Sequence, residues 1–263
     1  FDSSTIDLCL SVFWWAHFRK TKAGIKLHTL FDINTQIPVF IHITEANVHD
    51  VNAMDIINYE PFAYYIFDRA YVDYLRLYQI TKSTAYFVVR AKSNLKFKRM
   101  YSKKTDKSTG VIYDQTGKID GFYSSKDYPE KIRKVKFFDA ENNKILIFLT
   151  NNFDLSAGQI ALLYKQRWQI ELFFKWIKQH LKVKTFWGTT ENAVRIQINI
   201  AIITYCLVSI IAKDLKINRS IYEILQILSA SLLDKTPVNE LLMKSDYNNI
   251  NELDSNQLVF NLF

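Results

Sequence analysis

The chain has 263 residues, 49% of them hydrophobic, with only 6 Gly and 4 Pro. That composition excludes a disordered or collagen-like polymer and suits one large domain, or a core with an insertion. A net charge of +8 and a pI of about 9.2 suit a polyanionic partner without naming one.

Cys9 and Cys206 are isolated, with no CxxC spacing, which argues against a zinc site or a disulfide framework. No signal-peptide pattern is read at the start, and a reducing cytosol is expected. Residues 1–13 (FDSSTIDLCLSVF) are β-branched and apolar and read as a strand. Because the sequence enters this strand without a Met, it reads as a trimmed chain or a fragment. GIKLHTLFDI and IPVFIHIT form a predicted hairpin about the turn-like Asn34-Thr35-Gln36. Arg19, Lys20, Lys22 and Lys26, around Gly24, read as a solvated loop between the first two strands, or as a contact for a polyanion. His42, Glu45, His49 and Asp50 superficially resemble a metal cluster. Their HxxExxxH spacing, across a strand end and a loop, is not that of a helix-borne zinc site.

A short helix is predicted from Asp50, a buried strand over 63–67 ending at Asp68, a helix over 72–82 and a strand over 85–90. This is a mixed α/β order. From Arg90 to Lys107 there are eight Lys or Arg against one acid, Asp106. Short alternating segments continue to 150, including a hairpin turning at Asn142-Asn143. Further helices are predicted over 192–213 and 220–233. The apolar run 196–212 carries Gln197 and Asn199 and is short for a membrane span, so it reads as a buried helix. The Asn-rich tail from Asp246 is expected to be loosely held.

Between the hairpin and these helices, residues 156–182 contain no Pro and read as one long helix with Ser156 as N-cap. At 100° per residue, Tyr164, Arg167, Glu171, Lys175 and Lys178 fall within a stripe roughly 80° wide. Leu163, Ile170, Phe174, Ile177 and Leu181 form an apolar stripe about 60° wide beside it. One carboxylate among an Arg, two Lys and a Tyr suits metal and phosphate, although the same pattern also describes a solvated face with weak ion pairs.

The spacing Tyr164, two residues, Arg167, three residues, Glu171, six residues, Lys178 resembles the Tyr-Arg-Glu-Lys signature of a large insertion-sequence transposase family. Its members are DDE enzymes with a ribonuclease H-like core. YIFDRAYVD around Asp68 is similar to the family's second-Asp segment, though an Asp at a strand end is also a common turn residue. Asp2, in Phe1-Asp2-Ser3-Ser4-Thr5, resembles the first Asp. Asp7 competes but points to the opposite strand face, and the Asp-Ser-Ser context favours Asp2. Val48-His49-Asp50 also resembles a recurring family segment, read as a helix entry, with its role open.

The resemblance implies an α/β fold: a ribonuclease H-like mixed sheet with flanking helices, interrupted by a β-rich insertion. The expected division is 1–90 and 151–263 for the core and 91–150 for the insertion. Asp2, Asp68 and Glu171 are the expected ligands of Mg²⁺, with Mn²⁺ an alternative. Tyr164, Arg167 and Lys178, with Lys175 as a weaker addition, are expected at transposon-end phosphates, where Arg binds bidentately and Lys as a point charge. Trp168 reads either as packing or as a base-stacking residue. The implied activity is cleavage at transposon ends and strand transfer to target DNA, by a dimer on paired ends. The setting would be the bacterial cytoplasm, at the nucleoid and away from any membrane. A further region ahead of the first Asp is implied. Two rivals stand beside this reading: a truncated end-binding inhibitor of transposition and a plain metal-dependent nuclease.

Overall fold

In the computed structural model, which describes residues 1–19, 22–180, 186–231, 233 and 235–243, two sheets meet at a backbone hydrogen bond. The Phe1 nitrogen donates to the Ile66 carbonyl at 2.9 Å. The first sheet is antiparallel and centred on β3 (Lys22–Asp32), which pairs with β1 (Asp2–Leu8), β2 (His17–Arg19) and β4 (Ile37–Glu45). β3 is buried along most of its length, as a central strand covered on both faces should be. The β3–β4 turn carries Gln36 at φ 58°, and the Asp32 carboxylate accepts from Asn34 and Thr35.

The second sheet runs β5 (Tyr64–Phe67), β6 (Tyr86–Arg90), β10 (Lys144–Thr150), β9 (Ile132–Asp139), β8 (Val111–Ile119), β7 (Phe97–Lys103). β5 and β6 are parallel, joined through α1 (Tyr74–Lys82). β10 then pairs antiparallel with β6, so the strands within 91–150 continue the sheet that β5 and β6 begin. At the β7 bulge, Gly117 lies so close that a Cβ there would stand 2.2 Å from the Lys98 carbonyl oxygen.

Both faces of this sheet are covered. Leu77 and Ile80 of α1 pack with Phe67, Phe87 and Val89 on one side. On the other, Ile160, Ala161 and Tyr164 of α3 (Ala157–Lys165) pack on Val88, Val135 and Phe148. The buried Arg133 binds Asp114 through Nε and Nη2, at 2.9 and 2.8 Å. Its Nη1 donates to the carbonyls of Asn152 and Leu155, which lead into α3.

Several sequence expectations need correcting. The first strand ends at Leu8, and Cys9–Phe13 turns on itself, with Phe13 N donating to Cys9 O at 2.9 Å. Two short pieces follow, a 3₁₀ turn at Trp14–Ala16 and β2, neither of which was expected. The helix from Asp50 is a 3₁₀ helix, Asp50–Ile56. α1 begins at Tyr74, capped by Asp73. Lys26 lies on β3 and is largely buried, with 11% of its side chain exposed, so it belongs to no loop. Lys20 falls outside the described residues.

The expected single helix over 156–182 is two. α3 opens on a capping box between Ser156 and Gln159, as the sequence signals. It ends at Lys165, and α4 (Trp168–His180) follows. Across the break the ladder tightens to three-residue bonds, Arg167 N to Tyr164 O at 3.1 Å and Ile170 N to Arg167 O at 3.2 Å. Ile170, Phe174 and Ile177 are buried as expected, joined by Phe173 against Phe31 of β3. Leu181 and Lys182 lie outside the described residues.

Residues 1–199 and 200–263 form two compact units. α5 (Glu191–Asp214) is a single helix whose chain passes from one unit to the other. Within the second unit, Val208, Ile224 and Leu242 make a small core with α6 (Ile221–Ala230) and α7 (Val238–Met243). By length and composition α5 could cross a membrane, and 33% of its apolar window is buried, less than a core helix would show. The tail from Asp246 lies outside the described residues.

Candidate active site

Asp2 stands at the first position of β1, and Asp68 immediately follows β5, on the two strands that the Phe1–Ile66 bond brings together. Asp68 caps the 3₁₀ turn Arg69–Tyr71, its Oδ1 accepting from Arg69 N at 2.6 Å. It is therefore a turn residue, as the sequence allowed, placed directly after the edge strand β5.

The break between α3 and α4 turns their side chains toward these aspartates. Tyr164 is buried against Phe148, ring centroids 4.7 Å apart, and its hydroxyl donates to Asp68 Oδ1 at 3.4 Å. Arg167 Nη1 donates to Asp2 Oδ2 at 2.8 Å and Nη2 to Glu171 Oε1 at 2.5 Å. The Arg167 Nε is buried without a partner. Two signature residues thus clasp the three expected carboxylates across as many as 165 positions of sequence. Asp2 and Glu171, together with Ser3, Lys175 and Lys178, line an open cleft of about 540 Å³. Trp168 is 58% exposed, so it is not packed in the core.

Charge in this region is unevenly balanced. Burial, above all, pushes the Asp2 carboxyl above the usual carboxylate range, and the neighbouring Asp68 adds to the push. The Ser3 N–H, 2.8 Å from Asp2 Oδ1, and the Arg167 guanidinium offset part of it. The Tyr164 hydroxyl is likewise raised by burial, and by Asp68, and remains a donor at neutral pH. A buried carboxylate crowded by a second one gains from a nearby cation, and hard oxygen donors suit a small divalent ion. The donor chemistry of Asp2, Asp68 and Glu171 fits such an ion. Among the described residues, no three His, Cys, Asp or Glu are gathered closely enough to hold a metal as they stand. Arg167 and Tyr164 hold these carboxylates instead.

His42, Glu45 and His49 are exposed. Glu45 accepts from Asn47, and His42 lies across the β3–β4 ladder from His28, ring centroids 6.2 Å apart. Sequence reasoning missed the link between Asp50, Lys26 and Ser3, which lies beneath Asp2. Its signals were the Val48-His49-Asp50 segment and the serine after Asp2.

Two sheets with packed helices, Asp2 on β1 of one, Asp68 directly after β5 of the other and Glu171 on α4, make a mixed α/β fold consistent with the ribonuclease H-like class. The chain belongs to the DDE transposase domain family, whose model matches residues 1–207. It is 36% identical over 228 residues to the transposase y4zB of Sinorhizobium fredii, covering 85% of this chain and 64% of that protein. It is 32% identical over 215 residues to the transposase of insertion sequence element IS5377 of Geobacillus stearothermophilus, covering 78% and 54%. Identity to the transposase of element IS4SA of Synechocystis is 24% over 237 residues, covering 89% and 66%. The chain thus spans between 54% and 66% of the length of these relatives.

Proposed function

We propose that this chain is the catalytic region of an insertion-sequence transposase of the Tyr-Arg-Glu-Lys signature, cutting DNA at transposon ends and joining the freed 3′-hydroxyl to target DNA. The observation that carries this reading is the Arg167 bridge between Asp2 and Glu171, with Tyr164 on Asp68. Asp2, Asp68 and Glu171 would hold Mg²⁺, or Mn²⁺ in its place. Held there, such an ion would activate the attacking oxygen and neutralise the leaving one. Tyr164 orients Asp68, and Arg167 fixes Asp2 relative to Glu171. Lys175 and Lys178, on the wall of the same cleft, bind end phosphates as point charges. Residues 91–150 act as the insertion between the two parts of the core, 1–90 and 151–263. The working form is a dimer on paired ends, acting at the bacterial nucleoid.

The test is Glu171→Gln in the full-length protein, with cleavage of end DNA assayed in Mg²⁺ and binding measured alongside. Cleavage should be abolished while end binding persists. Normal cleavage by this variant, or by Asp2→Asn, would falsify the assignment.

A further inference from the structure

We propose that Asp50, acting with Lys26 and Ser3, is a positioning residue that holds Asp2 in place for metal binding, an inference that rests on the site reading above. Successive strand residues point to opposite faces, so Ser3 reaches away from the face that Asp2 presents. Its hydroxyl donates to Asp50 Oδ1 at 2.6 Å, while its N–H donates to the Asp2 carboxylate at 2.8 Å. Ser3 is therefore the joint between the two aspartates.

Asp50 is itself anchored. Lys26 Nζ stands 2.9 Å from Asp50 Oδ1 and donates to the Val48 carbonyl at 2.6 Å. That fixes the entry to the 3₁₀ helix Asp50–Ile56, whose Ala53 and Met54 pack in the same core cluster as Phe1. Lys26 lies on β3, two positions before His28, the residue paired with Ser3. The strut thus runs from the middle of the first sheet, through Asp50 and Ser3, to Asp2 on β1. A metal ligand must be held in one orientation, and the residues that bond it from outside supply that hold. Burial pushes the neighbouring Tyr71 hydroxyl far above its ordinary range; Ser3 offsets part of this, and Asp2, Asp50 and Asp68 add to it. Asp50 touches neither substrate nor ion in this scheme. It acts through Ser3.

Outer residues that orient a metal ligand typically change affinity about 10- to 100-fold when removed. In the full-length protein, Mn²⁺ binding is measured by calorimetry for wild type, Ser3→Ala, Ser3→Thr and the double variant Lys26→Met/Asp50→Ala, which leaves no lone buried charge. Ser3→Ala and the double variant should each weaken Mn²⁺ binding about tenfold or more. Their combination should be no weaker than the worse of the two, because both cut one strut. Ser3→Thr keeps the hydroxyl and should bind as wild type. Cleavage by Ser3→Ala should recover at high Mn²⁺, and end-DNA affinity in EDTA should stay within about twofold, as expected when only ligand orientation is lost.

Wild-type Mn²⁺ affinity in Ser3→Ala overturns the positioning role, as does additive loss in the combination. If the double variant does not fold, the Ser3→Ala and Ser3→Thr pair decides alone. Asp2→Asn separates the two levels. If it binds Mn²⁺ as wild type, the site reading falls and the strut with it. If it loses Mn²⁺ while Ser3→Ala does not, only the strut falls.

Discussion

Arg167 should stabilise the metal-free protein and should be partly replaceable by a divalent cation. Arg167→Met keeps most of the stem and removes the fork. Side-chain exposure is 17% for Arg167 and 19% for Asp2, so their contact is a largely desolvated, charge-assisted one, of order 1.5–3 kcal/mol. Glu171 is 45% exposed and lies one helical turn on, so its pair counts for only about 0.3–0.5 kcal/mol. The sum is about 2–3.5 kcal/mol. At about 2–4 °C per kcal/mol for a chain of this size, the melting temperature in EDTA should fall by about 4–14 °C. Millimolar Mg²⁺ should raise the variant's melting temperature more than the wild type's, since an ion that binds only the folded form stabilises it and the variant lacks its own cation. Scanning calorimetry with and without Mg²⁺ measures both effects. A loss below about 2 °C, a change within the range of ordinary surface substitutions, or equal gains from Mg²⁺, would refute the clasp as an energetic feature.

Asp114→Ala strands Arg133, whose side chain is 1% exposed, and should cost about 3–5 kcal/mol by thermal unfolding. Asp114→Leu with Arg133→Met should recover most of that loss, and a single variant as stable as wild type would contradict the buried pair. Asp2 has its carboxyl raised by burial, so the fold favours its protonated form. Its stabilising contribution is present at acid pH and is lost as pH rises through the raised carboxyl. In EDTA, Asp2→Asn should therefore gain stability over wild type toward neutral pH and show less difference near pH 4, and the opposite trend would count against it. For Lys178→Ala, the slope of log K for end DNA against log salt should shrink by about 0.9, and an unchanged slope would remove Lys178 from the phosphate contacts.

Much of this was legible because local chemistry and tertiary structure agree. The β3–β4 and β9–β10 hairpins form where turn residues interrupt alternating strands, and Asn143 takes φ 49° at the predicted turn. The Ser156 cap was readable from three residues. The break at Gln166-Arg167 was not, because nothing local forbids helix there and Arg167 finds Asp2 only 165 positions away. Lys26 shows the same limit in reverse. Beside Gly24 and other lysines it looks solvated, and only the Asp50 that β4 delivers explains its burial. The resemblance to a Tyr-Arg-Glu-Lys signature singled out Tyr164, Arg167 and Glu171 as a group. It could not say that two of them would hold carboxylates in the protein alone.

The clasp also sets a clock. Asp2 and Asp68 leave the ribosome before Arg167 and Glu171, which follow Asp2 by about 170 residues. At roughly 5–20 residues per second, that is an interval of about 10–30 s. Until it ends, the edge that comes to carry the two aspartates has neither its arginine nor its helix. A nascent chain that stalls before Arg167 holds the strands of both sheets but no assembled centre. The clasp therefore closes only once the turn that joins α3 to α4 has been made.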